Sequence, residues 1–220
     1  LIFMSQLVFA QDYDELVILY ADGDYKKLVA KAIKITENDK TSKEVPPYFW
    51  AAKGLYKISE SGDADPDYKN AYKDAIKYFG KGLKYDIKYN DGATVEEFRE
   101  FVDEFQLSLY HRINNEYEAG MYKKSYSWAV KYAKVSENIA GAQYFSGACK
   151  TLDSDPGSAR TFWMEGEALI KDITSIDDWS EADKKILMMG VLYSAEVLKS
   201  KRQLDKAKVL LNKVAQWFED

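Results

Sequence analysis

The side chains best suited to chemistry in this sequence are Cys149 and His111, the one cysteine and the one histidine among 220 residues. A thiolate and an imidazole act together as nucleophile and base only when they lie within hydrogen-bond reach. Cys149 ends Ser146–Cys149, a run of small residues that is typical of closely packed helices. One cysteine and one histidine are also too few ligands for a closed tetrahedral zinc site. We therefore predict that the chain has no catalytic residue, no metal and no cofactor, and that it is not an enzyme.

Carboxylates form two dense runs, and neither has the pattern of a known site. Asp63, Asp65 and Asp67 alternate as calcium ligands do, but the run lacks the glycine and the distal Glu of an EF-hand loop. Residues 96–104 hold five carboxylates at helical spacing, without a nucleophile beside them. We interpret the first run as a solvated acidic turn and the second as a solvated helix face.

The charge distribution argues against nucleic acid as a partner. The chain has 36 acidic and 31 basic residues, and the formal net charge of −5 comes from two interleaved signs. A phosphate backbone requires a basic patch or stripe, and the sequence has none. Apolar residues make up 46% of the chain and there are four prolines, which is typical of a folded helical protein.

The first ten residues are almost wholly apolar and end in Val8-Phe9-Ala10, ahead of the polar pair Gln11-Asp12. This pattern predicts the remnant of a secretory signal peptide over residues 1–10, with a helical repeat domain over 11–220. The alternative is a hydrophobic first helix. Gln11 stands where a lipoprotein would have cysteine, and no other segment approaches the roughly 20 apolar residues of a membrane span. We expect an exported, soluble, periplasmic protein without membrane insertion.

Apolar residues recur with a helical period along nearly the whole chain, and no alternation long enough for a strand is present. Turn residues interrupt this period at regular intervals. We predict ten helices, over residues 12–22, 24–38, 47–60, 67–89, 94–118, 121–138, 141–152, 157–173, 180–200 and 203–218. Paired in order they form five antiparallel hairpins, and Thr94 and Ser180 are the expected N-caps of two helices.

Two turns repeat the same chemistry. Gly23-Asp24-Tyr25-Lys26-Lys27 recurs 97 residues later as Gly120-Met121-Tyr122-Lys123-Lys124. In each run the glycine can take the left-handed conformation that ends a helix, and the tyrosine can pack across the new hairpin. The repetition indicates that related helical hairpins recur along the chain.

Small residues inside the helices repeat with a fixed spacing. Gly147, Ala159, Trp163 and Gly166 predict two helices whose backbones approach closely, because glycine costs about 1 kcal/mol in a helix and needs a reason. The second half of this spacing recurs over residues 75–82, for which Gly54 is the expected partner, and the whole spacing recurs in Ala195, Ala207, Leu211 and Val214.

In these spacings the chain resembles the tetratricopeptide-repeat family, whose unit is a helix-turn-helix of about 34 residues. Its apolar start and its Lys/Tyr/Asn-rich body are similar in style to exported envelope proteins of Bacteroidetes-type bacteria. The resemblance implies an all-α, right-handed superhelical array of about five antiparallel hairpins. It also implies that the first helix of each hairpin lines a concave surface.

Residues about one turn apart on these first helices predict a tyrosine-rich groove that binds a partner. The predicted groove residues are Tyr13, Val17, Tyr20, Tyr48, Leu55, Tyr110, Asn114, Tyr117, Tyr144, Leu192 and Glu196. The alternative is that several of these tyrosines fill the seams between hairpins.

We therefore expect a non-enzymatic protein–protein interaction module or assembly subunit of the bacterial cell envelope, which binds a peptide or helix of another protein. The alternative function is glycan binding, in which Trp50, Trp128 and Trp163 serve as platforms for sugar rings. Solvent-facing rings would favour the glycan, and buried rings would argue against it.

Overall fold

The computed structural model describes residues 13–62 and 65–218, and throughout these ranges the chain is helical without strands. Its helices are α1 (Asp14–Ala21), α2 (Tyr25–Glu37), α3 (Pro46–Glu60), α4 (Ala71–Tyr89), α5 (Ala93–Glu97), α6 (Arg99–Glu118), α7 (Tyr122–Tyr132), α8 (Ala140–Leu152), α9 (Pro156–Ile170), α10 (Glu181–Ser200) and α11 (Leu204–Ala215), with a 3-10 turn at Pro66–Tyr68. The all-α class is thus confirmed for the described residues. The predicted signal remnant, residues 1–10, lies outside them. None of the described helices is long and apolar enough to cross a membrane.

Capping explains where some of these helices begin. The Ser180 hydroxyl accepts a hydrogen bond from the Asp183 amide at 3.1 Å, so the predicted N-cap of α10 is confirmed. The prediction for Thr94 was wrong, because α5 already begins at Ala93. The Thr94 amide instead donates to the Asp86 carboxylate, at 3.1 Å.

Three predicted helices are divided or markedly shortened in the structure, whereas the ends of the others differ by at most three residues. The predicted helix 67–89 is divided into the 3-10 turn and α4, and the predicted helix 94–118 is divided at Phe98 into α5 and α6. The predicted helix 121–138 ends at Tyr132. Periodicity could not show these breaks, because the residues around each one still carry apolar side chains at helical spacing.

The described part of the chain divides into two compact units, one that ends at Thr94 and one that begins at Val95. In the first unit α3 is the central helix, because it packs against both α2 and α4. A side chain at Gly82 of α4 would lie 2.9 Å from Tyr48 and 3.0 Å from Phe49, so these helices are in close contact. Gly54 lies against Leu28 and Val29 of α2 instead, and its predicted pairing with α4 was wrong.

In the second unit α8 is the central helix and packs against α7, α9 and α10. A Cβ atom at Gly141 would lie 2.4 Å from the Leu187 backbone, and one at Gly190 would lie 2.1 Å from the Gly141 carbonyl oxygen. The backbones of α8 and α10 therefore touch. On another side of α8, a Cβ atom at Gly147 would lie 2.3 Å from the Trp163 ring, which confirms the predicted close approach of α8 and α9.

The two repeated turns have the same geometry. Gly23 and Gly120 have φ angles of +75° and +72°, as predicted for glycines that end a helix in the left-handed conformation. The following tyrosine packs back on the preceding helix in both cases. The ring centroids are 5.6 Å apart for Tyr20 and Tyr25 and 5.2 Å apart for Tyr117 and Tyr122.

A buried carboxylate fixes the segment between α7 and α8. Asp183 of α10 accepts hydrogen bonds from Tyr132 and Ser136, both at 2.6 Å, and from Asn138 at 3.0 Å. Gln106 of α6 donates to the carbonyl oxygen of the nearby Val135 at 2.6 Å. These bonds satisfy a carboxylate that is only 4% exposed, and they explain why α7 stops at Tyr132.

The contact between α8 and α10 generates a stability prediction. Gly141→Ala should lower the free energy of unfolding of the second unit by about 1–3 kcal/mol, because its methyl group would overlap backbone atoms that cannot rotate away. Gly157→Ala is the matched control, since the nearest atom to its Cβ would be 3.9 Å away. We expect the control to be neutral or to stabilise by up to about 1 kcal/mol. Urea denaturation followed by circular dichroism measures both, and equal values for the two variants would contradict the close contact.

Candidate partner-binding surface

In the first unit, two of the predicted groove residues lie in the core. Tyr48 is 0% exposed and Leu55 is 3% exposed, so neither can contact a partner in this structure, and their assignment to the groove is corrected. The Tyr48 hydroxyl donates a hydrogen bond to the Ser42 carbonyl oxygen at 2.7 Å. The physical reason is that α3 is enclosed by α2 and α4, so the face that carries Tyr48 and Leu55 is covered.

The other predicted residues of the first unit lie on α1 or directly before it. The Tyr13 hydroxyl donates to the Glu44 carboxylate, and Val17 is 48% exposed. Tyr20 packs 5.7 Å from Trp50 between ring centroids, and the Lys53 ammonium lies 4.2 Å from the Tyr20 ring. The Lys53 ammonium therefore occupies one face of the half-buried Tyr20 ring.

In the second unit, helices α6 and α10 pack on each other and hold five of the predicted residues: Tyr110, Asn114, Tyr117, Leu192 and Glu196. Two hydrogen bonds set their register. The Ser180 hydroxyl donates to the Gln106 side-chain oxygen at 2.9 Å, and the Tyr193 hydroxyl donates to the Glu118 carboxylate at 2.6 Å. Glu118 follows Gln106 along α6, and their partner Tyr193 follows Ser180 along α10. The two helices therefore lie side by side and run parallel.

We use the name α6–α10 surface for Tyr110, Asn114, Tyr117, Glu118, Met188, Leu192, Tyr193 and Glu196. Its centre is a stacked tyrosine pair. The rings of Tyr117 and Tyr193 are 4.0 Å apart between centroids, at an interplanar angle of 17°. Phe145 of α8 supports them, with centroid distances of 5.4 Å to Tyr117 and 6.0 Å to Tyr193. The two stacked tyrosine rings thus form an aromatic platform that packs on the buried Phe145 ring.

Electrostatics keep both hydroxyls of this pair protonated. Burial raises the pKa of Tyr117 and of Tyr193 well above the ordinary tyrosine value, and the hydrogen bond to Glu118 raises that of Tyr193 further. The neighbouring carboxylate of Glu196 acts in the same direction on both. The two hydroxyls therefore remain neutral groups beside two negative charges.

Exposed apolar side chains lie next to the platform. Leu192 is 46% exposed and Met188, one helical turn earlier on α10, is 41% exposed. Sequence reasoning missed Met188 and Tyr193. The helical spacing from Leu192 could have identified Met188, whereas the role of Tyr193 depends on a ring from another helix.

Tyr144 belongs to a different site from the one predicted. It is 3% exposed, its ring packs against Gly166, and its hydroxyl donates to Glu167 at 3.1 Å. It lines a groove of about 710 Å³ between α9 and α11, which we call the α9–α11 groove. The lining residues are Tyr144, Arg160, Trp163, Glu167, Leu198, Gln203, Asp205, Lys206, Val209, Leu210 and Lys213.

The carboxylate of Glu167 accepts hydrogen bonds from two residues of this groove, Tyr144 and Lys213. Burial raises its pKa, but hydrogen bonds from Lys213 and from the Tyr144 hydroxyl outweigh that effect, and the net pKa is lowered. Glu167 is therefore ionised and held in place at neutral pH. Sequence reasoning did not find this groove, because its two walls come from different hairpins.

The three tryptophans considered for glycan binding differ in exposure. Trp50 is 9% exposed, which removes its ring as a platform. Trp128 is half-buried, and the cations of Lys131 and Arg112 lie 4.9 and 5.6 Å from its ring. Trp163 is half-buried, donates to the Ser194 hydroxyl at 3.0 Å and lines the α9–α11 groove.

Cys149 and His111 occupy different environments. Cys149 is 0% exposed, and burial raises the pKa of its thiol to about 12, so the nucleophilic thiolate is disfavoured. His111 is exposed, and its ring packs on Tyr110 at a centroid distance of 5.3 Å. Across residues 13–62 and 65–218, no group of three or more His, Cys, Asp or Glu side chains is placed to hold a metal ion.

Comparison with known protein families finds no family model that matches this chain, and comparison with curated proteins finds no match either.

The tyrosine pair generates a prediction about pH. A tyrosine whose pKa is raised in the folded state stabilises the fold fully at any pH below the unfolded-state pKa of about 10. This contribution is lost as the pH rises toward the pKa in the folded state. We expect tyrosinate absorbance to show a group of residues that ionise only well above pH 10, and Tyr193→Phe to reduce that group by one. The same chain in guanidinium chloride is the internal control, where all tyrosines should ionise near pH 10. A late group of unchanged size in the variant would contradict the environment described for Tyr193.

Proposed function

We propose that this protein is a non-enzymatic interaction module that binds a peptide or helix of another protein on its α6–α10 surface. The observation that carries the proposal is the combination of exposed Leu192 and Met188 with the stacked rings of Tyr117 and Tyr193. Large apolar side chains left in water beside rigid aromatic rings are typical of binding sites.

The chemistry of this surface suits a protein segment. Tyrosine rings provide large contact area and lose little conformational entropy on binding, because they have only two side-chain torsions. Leu192 and Met188 offer apolar area, and the flexible thioether of methionine adapts to different shapes. At the edge, Asn114 and Tyr110 are half-buried and can exchange hydrogen bonds with a peptide backbone.

We also propose the solenoid fold and the export to the periplasm that the sequence predicts. A tetratricopeptide-like α-solenoid of five hairpins is supported by helix pairs that pack on each other across three-residue turns: α1 with α2 in the first unit, and α6 with α7, α8 with α9 and α10 with α11 in the second. The repeated turn geometry at Gly23 and Gly120 supports it too. Export to the periplasm, as a subunit of the cell envelope, is supported by the apolar run of residues 1–10.

A peptide-display selection tests the proposed docking surface. Peptides enriched on the intact chain should bind Leu192→Lys at least about tenfold more weakly, because the substitution puts a charge where an apolar anchor docks. Leu169→Lys is the matched control, since Leu169 is 38% exposed on α9 and lies outside the surface. If the enriched peptides bind Leu192→Lys as tightly as the intact chain, the α6–α10 surface is not the docking site.

The second candidate function is glycan binding in the α9–α11 groove. Its volume of about 710 Å³ is within the usual range for small-ligand sites. Trp163 offers an aromatic surface, and Arg160 and Gln203 offer planar polar groups of the kind that bond sugar hydroxyls. This groove, rather than Trp50 or Trp128, is where we place the alternative.

A titration with a panel of oligosaccharides tests this candidate, with tryptophan fluorescence as the readout because Trp163 lines the groove. Arg160→Ala and Gln203→Ala should each weaken a bound sugar about fivefold, as expected for the loss of one hydrogen bond of about 1 kcal/mol. Lys134→Ala, at an exposed position just beyond α7, is the control and should change nothing. A panel that leaves the fluorescence unchanged removes the glycan function.

A further inference from the structure

The charged side chains in the C-terminal part of the α6–α10 surface are acidic. Residues 113–120 at the end of α6 and residues 186–198 along α10 contain three charged side chains, Glu116, Glu118 and Glu196, and all are acidic. Cations flank this segment, with Arg112 before it on α6 and with Lys185 and Lys199 on either side of it on α10. A surface with one sign of charge attracts partners of the opposite sign and repels partners of its own.

The positions of these carboxylates connect them with the tyrosine platform. The Glu118 carboxylate accepts a hydrogen bond from the Tyr193 hydroxyl at 2.6 Å. Glu196 is exposed and lies one turn beyond Leu192 on α10. One oxygen of Glu116 is enclosed and accepts no hydrogen bond from the residues that the structure describes. The acidic groups therefore border the aromatic and apolar side chains instead of lying apart from them.

Among the described residues, the lysines that flank this segment of α10 form no ion pair with Glu118 or Glu196. Lys185, at the N-terminal end of the surface, pairs with Glu181 at 2.9 Å, and Lys184 donates to the Asp177 carbonyl oxygen at 3.1 Å. Lys199 follows Glu196 by one turn, but among the described residues it forms no ion pair with it. The C-terminal half of the surface is therefore the more acidic one.

We propose that the partner segment bound by the α6–α10 surface is basic, with arginine or lysine side chains alternating with apolar ones. This inference rests on the proposed docking function and specifies its ligand. The carboxylates of Glu118 and Glu196 form charge-assisted hydrogen bonds with the cations. The aliphatic stems of the same side chains pack on Leu192 and Met188, and guanidinium groups stack on the tyrosine rings.

Three synthetic peptides test this inference on the full chain. They share the same apolar positions and carry arginine, glutamine or glutamate at all the others, and fluorescence anisotropy measures their affinities. The arginine peptide should bind at least about tenfold more tightly than the glutamine peptide, and the glutamate peptide should not bind. Added salt should weaken the arginine peptide most, because exposed charges are screened.

Two variants localise the effect. Glu118→Gln with Glu196→Gln should reduce the preference for arginine over glutamine about tenfold, while the amide of residue 118 still accepts the Tyr193 hydroxyl. Glu165→Gln, at an exposed position on α9, is the matched control and should leave the preference intact.

The outcomes separate the two proposals. If display-selected peptides bind through Leu192 but show no charge preference, the basic partner is wrong and the docking surface stands. An arginine preference that survives the double variant also overturns this inference. If Leu192→Lys changes the affinity of neither the arginine peptide nor any selected peptide, the docking function itself is wrong.

Discussion

The contact between α8 and α10 at Gly141 and Gly190 is the constraint on which the second unit depends. A Cβ atom at either position would overlap backbone atoms of the other helix, so only glycine permits this distance. The close approach lets the Ser194 hydroxyl reach the Tyr144 carbonyl oxygen at 2.8 Å. It also places Phe145 of α8 beneath the stacked tyrosines. The interior contact and the candidate surface are thus parts of one arrangement.

A buried carboxylate ties the start of α10 to the segment that precedes α8. Asp183 would be costly in the interior without partners, and it is satisfied by Tyr132, Ser136 and Asn138. Since these donors come from the end of α7 and the segment after it, one carboxylate ties that segment to α10. The Gln106 side chain adds α6 to the network through Val135. Polar bonds therefore fix the relative positions of the helices that apolar packing brings together.

Helix α10 contributes to both candidate sites. Tyr193 stacks on Tyr117 of α6 and the Glu196 carboxylate acts on both rings, whereas Leu198 lines the groove between α9 and α11. The two sites differ in character. The α6–α10 surface is aromatic with acidic groups in its C-terminal part, which suits a protein segment, and the groove has charges of both signs, which suits a small polar ligand.

The sequence by itself determined the features that depend on neighbouring residues or on fixed spacing: the helical class, the Gly-Tyr turns at Gly23 and Gly120, the Ser180 cap, and the approach of Gly147 to Trp163. A helical period shows which residues share a face, but not which faces other helices cover. The tertiary structure therefore decided that Tyr48 and Leu55 are buried and that α7 ends at Tyr132. It also decided that Tyr117 stacks on Tyr193, because that contact joins residues far apart in the chain and needs both α6 and α10 in place.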